Sequence, residues 1–256
     1  MPEFATATGT IFYEDLGPAS PKSTVLLLHN FLSTGRTAWG SIANELAKSY
    51  RVILPDLPGH GRSVGFPPGF NHRTIAVQIA ELVESLGLFT LHVAGCSAGG
   101  IIAEWIVVEE LLDVLTLTLV SSSYSVNPTT TGLAIDTRPE AYRAGANWLE
   151  ATAKLHDVYQ GEGYFERVLL PGYRALTPEL SIDLPLETLA TWEMPVCIIH
   201  GEEDEIFPVA IAKQMCATLP NCELHVFPRQ GHSLIFRQSR KVGAILQAFL
   251  EKHEKS

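Results

Sequence analysis

Short apolar runs alternate with longer amphipathic segments along most of this 256-residue chain. Runs such as VLLL at 25–28 and VCII at 196–199 are continuously apolar, as strands are when helices cover both faces of a parallel sheet. The pattern predicts strands at 10–14, 25–28, 52–55, 91–94, 115–120, 196–199 and 223–227. It predicts helices at 39–48, 73–86, 100–111, 209–218 and 237–252. This alternation predicts an α/β fold with a mostly parallel sheet flanked by helices.

One stretch, residues 126–192, departs from the alternation. It contains no apolar run typical of a buried strand, although helical patterns occur at 139–155 and 164–170. We therefore expect a helical cap inserted over the carboxyl edge of the sheet, with the core domain formed by 1–125 and 193–256. The insertion is rich in aromatic residues, and Trp148 and Tyr164 are candidates to line a substrate pocket. The alternative is that these rings only hold the insertion together.

Composition and charge exclude several classes of protein. Hydrophobic residues make up 46% and charged residues 18%, which is an ordinary globular profile. The formal net charge of −10, with no cluster of Lys or Arg, argues against a nucleic-acid partner. No apolar run is long enough to span a membrane, and the first residues lack the pattern of a secretory signal. These features predict a cytoplasmic protein.

The cysteines are Cys96, Cys197, Cys216 and Cys222. Their spacing fits no zinc site, and without an export signal we expect reduced thiols. The alternative is a disulfide between Cys216 and Cys222, which are close enough in sequence to form one.

A serine occupies a turn suited to nucleophilic attack. Ser97 is the centre of a G-x-S-x-G motif at 95–99, between a predicted strand and a predicted helix. Such a strand–turn–helix presents the serine hydroxyl above the edge of the sheet. The flanking glycines fit this turn, because a Cβ at either position would crowd the backbones that pass close to it. The motif alone is weak, and its placement is what makes Ser97 a candidate nucleophile.

A serine hydroxyl needs a general base, and the base needs an orienting acceptor. His232 follows the last predicted strand, where a loop can reach the sheet edge, and is the preferred base. Asp204 follows the strand at 196–199 and is the preferred acid, because its short side chain has little rotamer freedom. The neighbouring Glu202, Glu203 and Glu205 are expected to be solvated. Four further histidines, His29, His60, His92 and His200, are expected to be structural.

Acyl transfer at a serine also needs two donors for the developing oxyanion. The backbone N–H of Ala98, directly after the candidate nucleophile, is the expected first donor. The second should come from the loop after the strand at 25–28, and we assign it to the N–H of Phe31.

Four motifs carry a resemblance to a known family. They are H-x-F at 29–31, D-L-P-G-H-G-R-S at 56–63, G-x-S-x-G-G at 95–100, and G-x-x-D-x-x-x-P with G-H-S at 201–208 and 231–233. In these motifs the chain resembles the α/β-hydrolase superfamily, in particular its small serine esterases and enol-lactonases. The resemblance implies the α/β-hydrolase fold and the triad Ser97, Asp204 and His232. It also implies an oxyanion hole at Phe31 and Ala98.

The chain departs from the family at one position, because Asn30 stands where glycine is usual. Asparagine tolerates a positive φ better than most residues, so the loop can keep its shape. Its amide is also a candidate contact for the substrate.

The leading functional hypothesis is hydrolysis of a small carboxylic ester or lactone through an acyl-enzyme on Ser97. A serine nucleophile argues against haloalkane dehalogenases and epoxide hydrolases of the same fold, which use an aspartate there. Cleavage of carbon–carbon bonds or thioesters and perhydrolysis stay open, and so does a slow or non-catalytic ligand receptor. No cofactor is implied, because the glycine clusters lack nucleotide-binding spacing and the histidines lack metal-ligand spacing.

Overall fold

The computed structural model describes residues 2–127, 130 and 146–254. Within these residues eight strands form one sheet in the order β1-β2-β4-β3-β5-β6-β7-β8. They are β1 Glu3–Ala5, β2 Thr10–Leu16, β3 Thr24–Leu28, β4 Arg51–Pro55, β5 Thr90–Cys96, β6 Asp113–Val120, β7 Val196–Gly201 and β8 Cys222–Phe227. The pairs β1–β2 and β2–β4 are antiparallel, and the other five pairs are parallel. The predicted α/β fold with a mostly parallel sheet is confirmed.

Helices cover both faces of this sheet. The helices of the described residues are α1 Gly35–Leu46, α2 His72–Ser85, α3 Ala98–Val108, α4 Ala146–Gln160, α5 Leu170–Arg174, α6 Val209–Thr218, α7 Leu234–Arg237 and α8 Ser239–His253. Helices α2, α3 and α6 pack on one face, through residues such as Ile79, Ile102 and Met215. Helices α1 and α8 pack on the other face, where Trp39 and Phe249 are buried. This two-sided burial explains why the central strands are continuously apolar.

The ends of the elements depend on local side chains that a periodic pattern does not register. Helix α1 begins four residues before its predicted start, because the Thr34 side chain caps it by accepting a hydrogen bond from the N–H of Thr37. Strand β1 was not predicted, since its three residues are mostly exposed and too few to show an alternation.

The stretch 126–192 contributes no strand to the sheet in the part that the structure describes. It contains α4, a π-helical turn at Phe165–Leu169, α5 and a 3-10 turn at Leu186–Thr191. The helix predicted at 139–155 lies partly outside the described residues. The helix predicted at 164–170 corresponds to the π-helical turn. The division of the chain into core and cap stays a prediction.

Cys216 and Cys222 form a disulfide, so the expectation of reduced thiols was wrong for this pair. The chain turns back from the end of α6 into β8 within a few residues, and the two Cα atoms lie 5.4 Å apart, in the usual range for a disulfide. Cys96 and Cys197 are free and buried. Disulfides are rare in cytosolic proteins, so this pair gives no support to the predicted cytoplasmic location. Separately, none of the described helices has the length and apolar content that crossing a membrane requires.

Candidate active site

The parallel strands end at a common edge of the sheet, and the candidate residues lie there. Ser97 follows β5, Asp204 lies three residues beyond β7, and His232 lies in the loop after β8. The crevice at the carboxyl ends of the strands is where open α/β sheets bind their ligands.

Ser97 has φ 50° and ψ −118°, a backbone conformation that non-glycine residues rarely adopt. Its N–H donates to the carbonyl of Val120, and its own carbonyl accepts from the N–H groups of Gly100 and Ile101. The Ser122 hydroxyl donates to the same carbonyl over 3.1 Å. These contacts hold the strained residue at the bend between β5 and α3.

At each glycine of the motif a neighbouring atom lies too close to leave room for a Cβ. A Cβ on Gly95 would lie 2.2 Å from the carbonyl oxygen of Gly99. A Cβ on Gly99 would lie 2.2 Å from the carbonyl oxygen of Leu28, and one on Gly100 would lie 2.5 Å from the Ser122 side chain. Gly99 therefore lets the first turn of α3 touch the end of β3.

Ser97, His232 and Asp204 form a continuous chain of hydrogen bonds. The Ser97 Oγ lies 2.9 Å from His232 Nε2, and His232 Nδ1 lies 3.0 and 3.1 Å from the two Asp204 oxygens. The N–H groups of Ile206 and Phe207 donate to Asp204 Oδ1 over 3.0 and 2.9 Å. Burial by itself would raise the pKa of Asp204, but the hydrogen bonds from His232 and Phe207 hold it below its ordinary value. The acid is therefore ionised and aimed at the imidazole.

Two glutamates beside Asp204 hold the loop that carries the histidine. The carboxylate of Glu205 accepts from the N–H of His232 over 3.1 Å, and that of Glu202 accepts from the N–H of Arg229 over 3.3 Å. Both glutamates are exposed as expected, but they are not merely solvated. The sequence contains no signal for these contacts, because the donors are backbone groups. Gly201 also allows this loop to approach, since a Cβ there would lie 2.4 Å from the Gln230 carbonyl oxygen.

The backbone N–H groups of Phe31 and Ala98 donate no hydrogen bond within the described part of the chain. The contact of Gly99 with the end of β3 brings the two segments that carry them together. The ring of Phe31 packs against His60, Phe70 and Tyr173, with centroids 4.9, 4.8 and 4.7 Å away. Tyr173 belongs to the 126–192 stretch, which therefore contacts this loop directly.

Asn30 uses its side chain within the loop. Its Nδ2 donates to the carbonyl of Phe31 over 2.9 Å, and its Oδ1 lies 3.8 Å from Cys96 Sγ. The left-handed residue of the loop is Leu32, with φ 62°, rather than Asn30. Asparagine is therefore not at this position to allow a positive φ, and its contact with a substrate stays a prediction.

Tyr164, the other described pocket candidate, joins the 126–192 stretch to the loop that contains Gly59. Its hydroxyl donates to the carbonyl of Gly59 over 2.9 Å, and its ring is partly buried. The His156 Nδ1 of α4 accepts from the N–H of Gly61 in the same loop. The side chain of Trp148 lies outside the described residues, so its pocket role stays a prediction.

The described residues contain no group of three His, Cys, Asp or Glu side chains that could hold a metal ion. The candidate site contains a serine, an imidazole and a carboxylate in hydrogen-bond contact, with the two candidate backbone donors nearby in the chain. This set can activate a hydroxyl and stabilise an oxyanion.

Comparison with known proteins places the chain in a family. Residues 25–244 match the model of the "Alpha/beta hydrolase family". The chain is 26% identical to monoacylglycerol lipase abhd6-A of Xenopus laevis, over 93% of this chain and 78% of that one. It is also 26% identical to the putative carbamate hydrolase RutD of Serratia proteamaculans, over 94% of this chain and 96% of that one.

Solved structures show the same fold. The meta-cleavage product hydrolase CumD of Pseudomonas fluorescens superposes with a TM-score of 0.81 at 20% identity, covering 98% of each chain. The match of the family model extends over most of the sheet and its helices. The chain belongs to the alpha/beta hydrolase family.

Proposed function

We propose that this protein is a serine hydrolase that cleaves a small carboxylic ester or lactone through an acyl-enzyme on Ser97. The observation that carries the proposal is the 2.9 Å contact between Ser97 Oγ and His232 Nε2, made by a serine with φ 50°. A strained, glycine-flanked serine in hydrogen-bond contact with a partly buried imidazole, itself held by a buried carboxylate, is the arrangement that acyl transfer needs. The hydrolase names of the relatives support the same class of reaction.

In the first half of the reaction His232 Nε2 takes the proton of Ser97 Oγ while the oxygen attacks the carbonyl carbon of the substrate. The C=O π electrons move to the carbonyl oxygen, whose negative charge the N–H groups of Phe31 and Ala98 stabilise. The tetrahedral intermediate then collapses. Its bond to the alcohol oxygen breaks, and His232 returns the proton to that oxygen. The acyl group stays on Ser97.

In the second half a water molecule replaces the alcohol. His232 takes a proton from the water, whose oxygen attacks the acyl carbon, and returns it to Ser97 Oγ when the carboxylic acid leaves. Asp204 stays ionised throughout and stabilises the imidazolium through Nδ1. A lactone follows the same steps, with the alcohol still attached to the acyl group.

The proposal is tested by turnover of p-nitrophenyl acetate, butyrate and octanoate. We expect Ser97→Ala to lower kcat by several orders of magnitude without changing the thermal unfolding temperature, because the hydroxyl has no packing role. Ser121→Ala is the matched control. Ser121 also follows a parallel strand and has φ 48°, and its buried hydroxyl has no hydrogen-bond partner in the described part of the chain.

Activity of the Ser97→Ala variant within about tenfold of the wild type would remove Ser97 from the nucleophile role. A wild type that releases no p-nitrophenol from any ester but binds these compounds would favour a non-catalytic receptor.

A further inference from the structure

His29 directly follows β3 and is completely buried, and both of its ring nitrogens are used. The N–H of Leu57 donates to Nε2 over 2.8 Å, and Nδ1 lies 2.7 Å from the carbonyl oxygen of Asn30. An imidazole nitrogen that accepts a hydrogen bond carries no proton, so the Leu57 N–H fixes the ring proton on Nδ1. His29 therefore donates from Nδ1 to the carbonyl of Asn30.

The peptide between Asn30 and Phe31 contains this carbonyl and also the candidate oxyanion donor, the N–H of Phe31. The described peptide bonds are all trans, and in a trans peptide the C=O and N–H point in opposite directions. A hydrogen bond that holds the carbonyl toward His29 therefore turns the Phe31 N–H away from it. Rotation of this peptide would instead aim a carbonyl dipole at the developing negative charge.

The other contacts of the loop hold different groups. The side-chain amide of Asn30 donates to the carbonyl of Phe31, which belongs to the next peptide. The rings of His60, Phe70 and Tyr173 pack against the ring of Phe31, which is not part of this peptide. Among the described residues, His29 is thus the group that fixes the direction of the candidate donor's own peptide. Burial lowers the pKa of His29 to about 3, so the imidazole stays neutral in the neutral pH range.

We infer that His29 is a positioning residue that sets the direction of the Phe31 N–H and so assembles one half of the oxyanion hole. This inference rests on the proposed function, because it needs an oxyanion to form at Ser97. It changes the interpretation of a histidine that the sequence suggests is only structural.

Two substitutions separate the two bonds of the ring. His29→Asn places an amide nitrogen near the position of Nδ1 and keeps the donor to Asn30. His29→Gln places an amide oxygen near Nε2, which keeps the acceptor for Leu57 and loses the donor. His92→Gln is the matched control, since His92 is also buried and bonds through Nδ1, in its case to the Thr116 hydroxyl over 2.8 Å.

With p-nitrophenyl butyrate we expect His29→Gln to lower kcat about 100-fold with little change in KM, the effect of losing one oxyanion donor. The affinity for a trifluoromethyl ketone, whose adduct carries an oxyanion at the same place, should fall by the same factor. His29→Asn should retain most of kcat and of this affinity. His92→Gln should retain both.

An unchanged kcat in His29→Gln, or equal losses in the two His29 variants, would overturn the inference while leaving the proposed function intact. A wild type that neither hydrolyses esters nor binds the ketone would overturn both. A measurement on the wild type does not depend on the variants folding. Long-range ¹H–¹⁵N NMR should show the His29 proton on Nδ1, and a proton on Nε2 would overturn the inference.

Discussion

Glu104 lies on α3 and is completely buried, and neither of its carboxylate oxygens has a hydrogen-bond partner among the residues that the structure describes. Burial raises the pKa of this carboxyl well above its ordinary value. Replacement by glutamine keeps the size of the side chain and removes its ionisation. We expect Glu104→Gln to stabilise the protein by an amount that grows as the pH rises above the pKa of an unfolded glutamate, and to leave its stability almost unchanged in acid.

The sign follows from proton binding. An unfolded glutamate has a pKa of about 4.3, so at higher pH the folded protein holds a proton that the unfolded chain has lost. The free energy of unfolding of the wild type therefore falls by about 1.4 kcal/mol for each pH unit, until the folded pKa is passed. The free energy of unfolding of Glu104→Gln does not fall in this way, because glutamine does not ionise. Below the unfolded pKa both proteins bury a neutral polar group without partners, which costs each about 1–3 kcal/mol.

The assay is urea unfolding of the wild type and the variant at several values between about pH 5 and pH 8, read as the free energy of unfolding. The difference between the two proteins should grow with pH, by at most about 1.4 kcal/mol per unit, and should level off once the pH passes the pKa of Glu104 in the folded protein. Glu81→Gln is the control, because Glu81 is an exposed glutamate on α2 and its loss should leave the slope unchanged. Parallel curves for Glu104→Gln and the wild type would refute the reasoning.

Three further predictions concern the acid, the disulfide and the insertion. Asp204→Asn should lower kcat for p-nitrophenyl butyrate by several orders of magnitude, because the imidazole loses its charged partner; near-normal turnover would exclude Asp204 as the acid. Cys216→Ser should lower the free energy of unfolding by about 2 kcal/mol, as expected for a disulfide that closes a short loop. If dithiothreitol leaves the stability of the wild type unchanged, the Cys216–Cys222 bond has no stabilising role. Burial lowers the pKa of His156 to about 4, below the value of an unfolded histidine. The neutral imidazole therefore adds to the free energy of unfolding above about pH 6.5, and this stabilisation is lost as the pH falls toward the folded pKa. His156→Gln should therefore reduce the acid-induced loss of stability measured by urea unfolding, and an unchanged pH profile would contradict the buried, neutral imidazole that accepts from Gly61.

The sequence predicts much of the fold because the central strands are buried on both faces. Each predicted strand corresponds to an observed one, and β3 and β7 are buried along their whole length. Strand β1 was missed because it has only three residues, two of them exposed, which is too short a stretch to show a period. The π-helical turn Phe165–Leu169 was read as an ordinary helix, since the two share nearly the same spacing of apolar residues.

The candidate site could be predicted where chemistry needs a particular side chain at a strand end, as at Ser97, Asp204 and His232. What could not be predicted depends on backbone partners. The contact from Glu205 to the N–H of His232 and the hydrogen bond from His29 to a carbonyl leave no trace in residue type. The same holds for the disulfide, which depends on how tightly the chain turns between α6 and β8.

The most direct test of the central claim is a mass spectrum of the protein after reaction with a fluorophosphonate, which phosphonylates an activated serine and loses fluoride. We predict that one phosphonyl group adds to each chain and that peptide fragmentation locates it on Ser97. His232→Ala should react far more slowly, because no base removes the hydroxyl proton. An unlabelled wild type, or a label on any serine other than Ser97, would contradict the account.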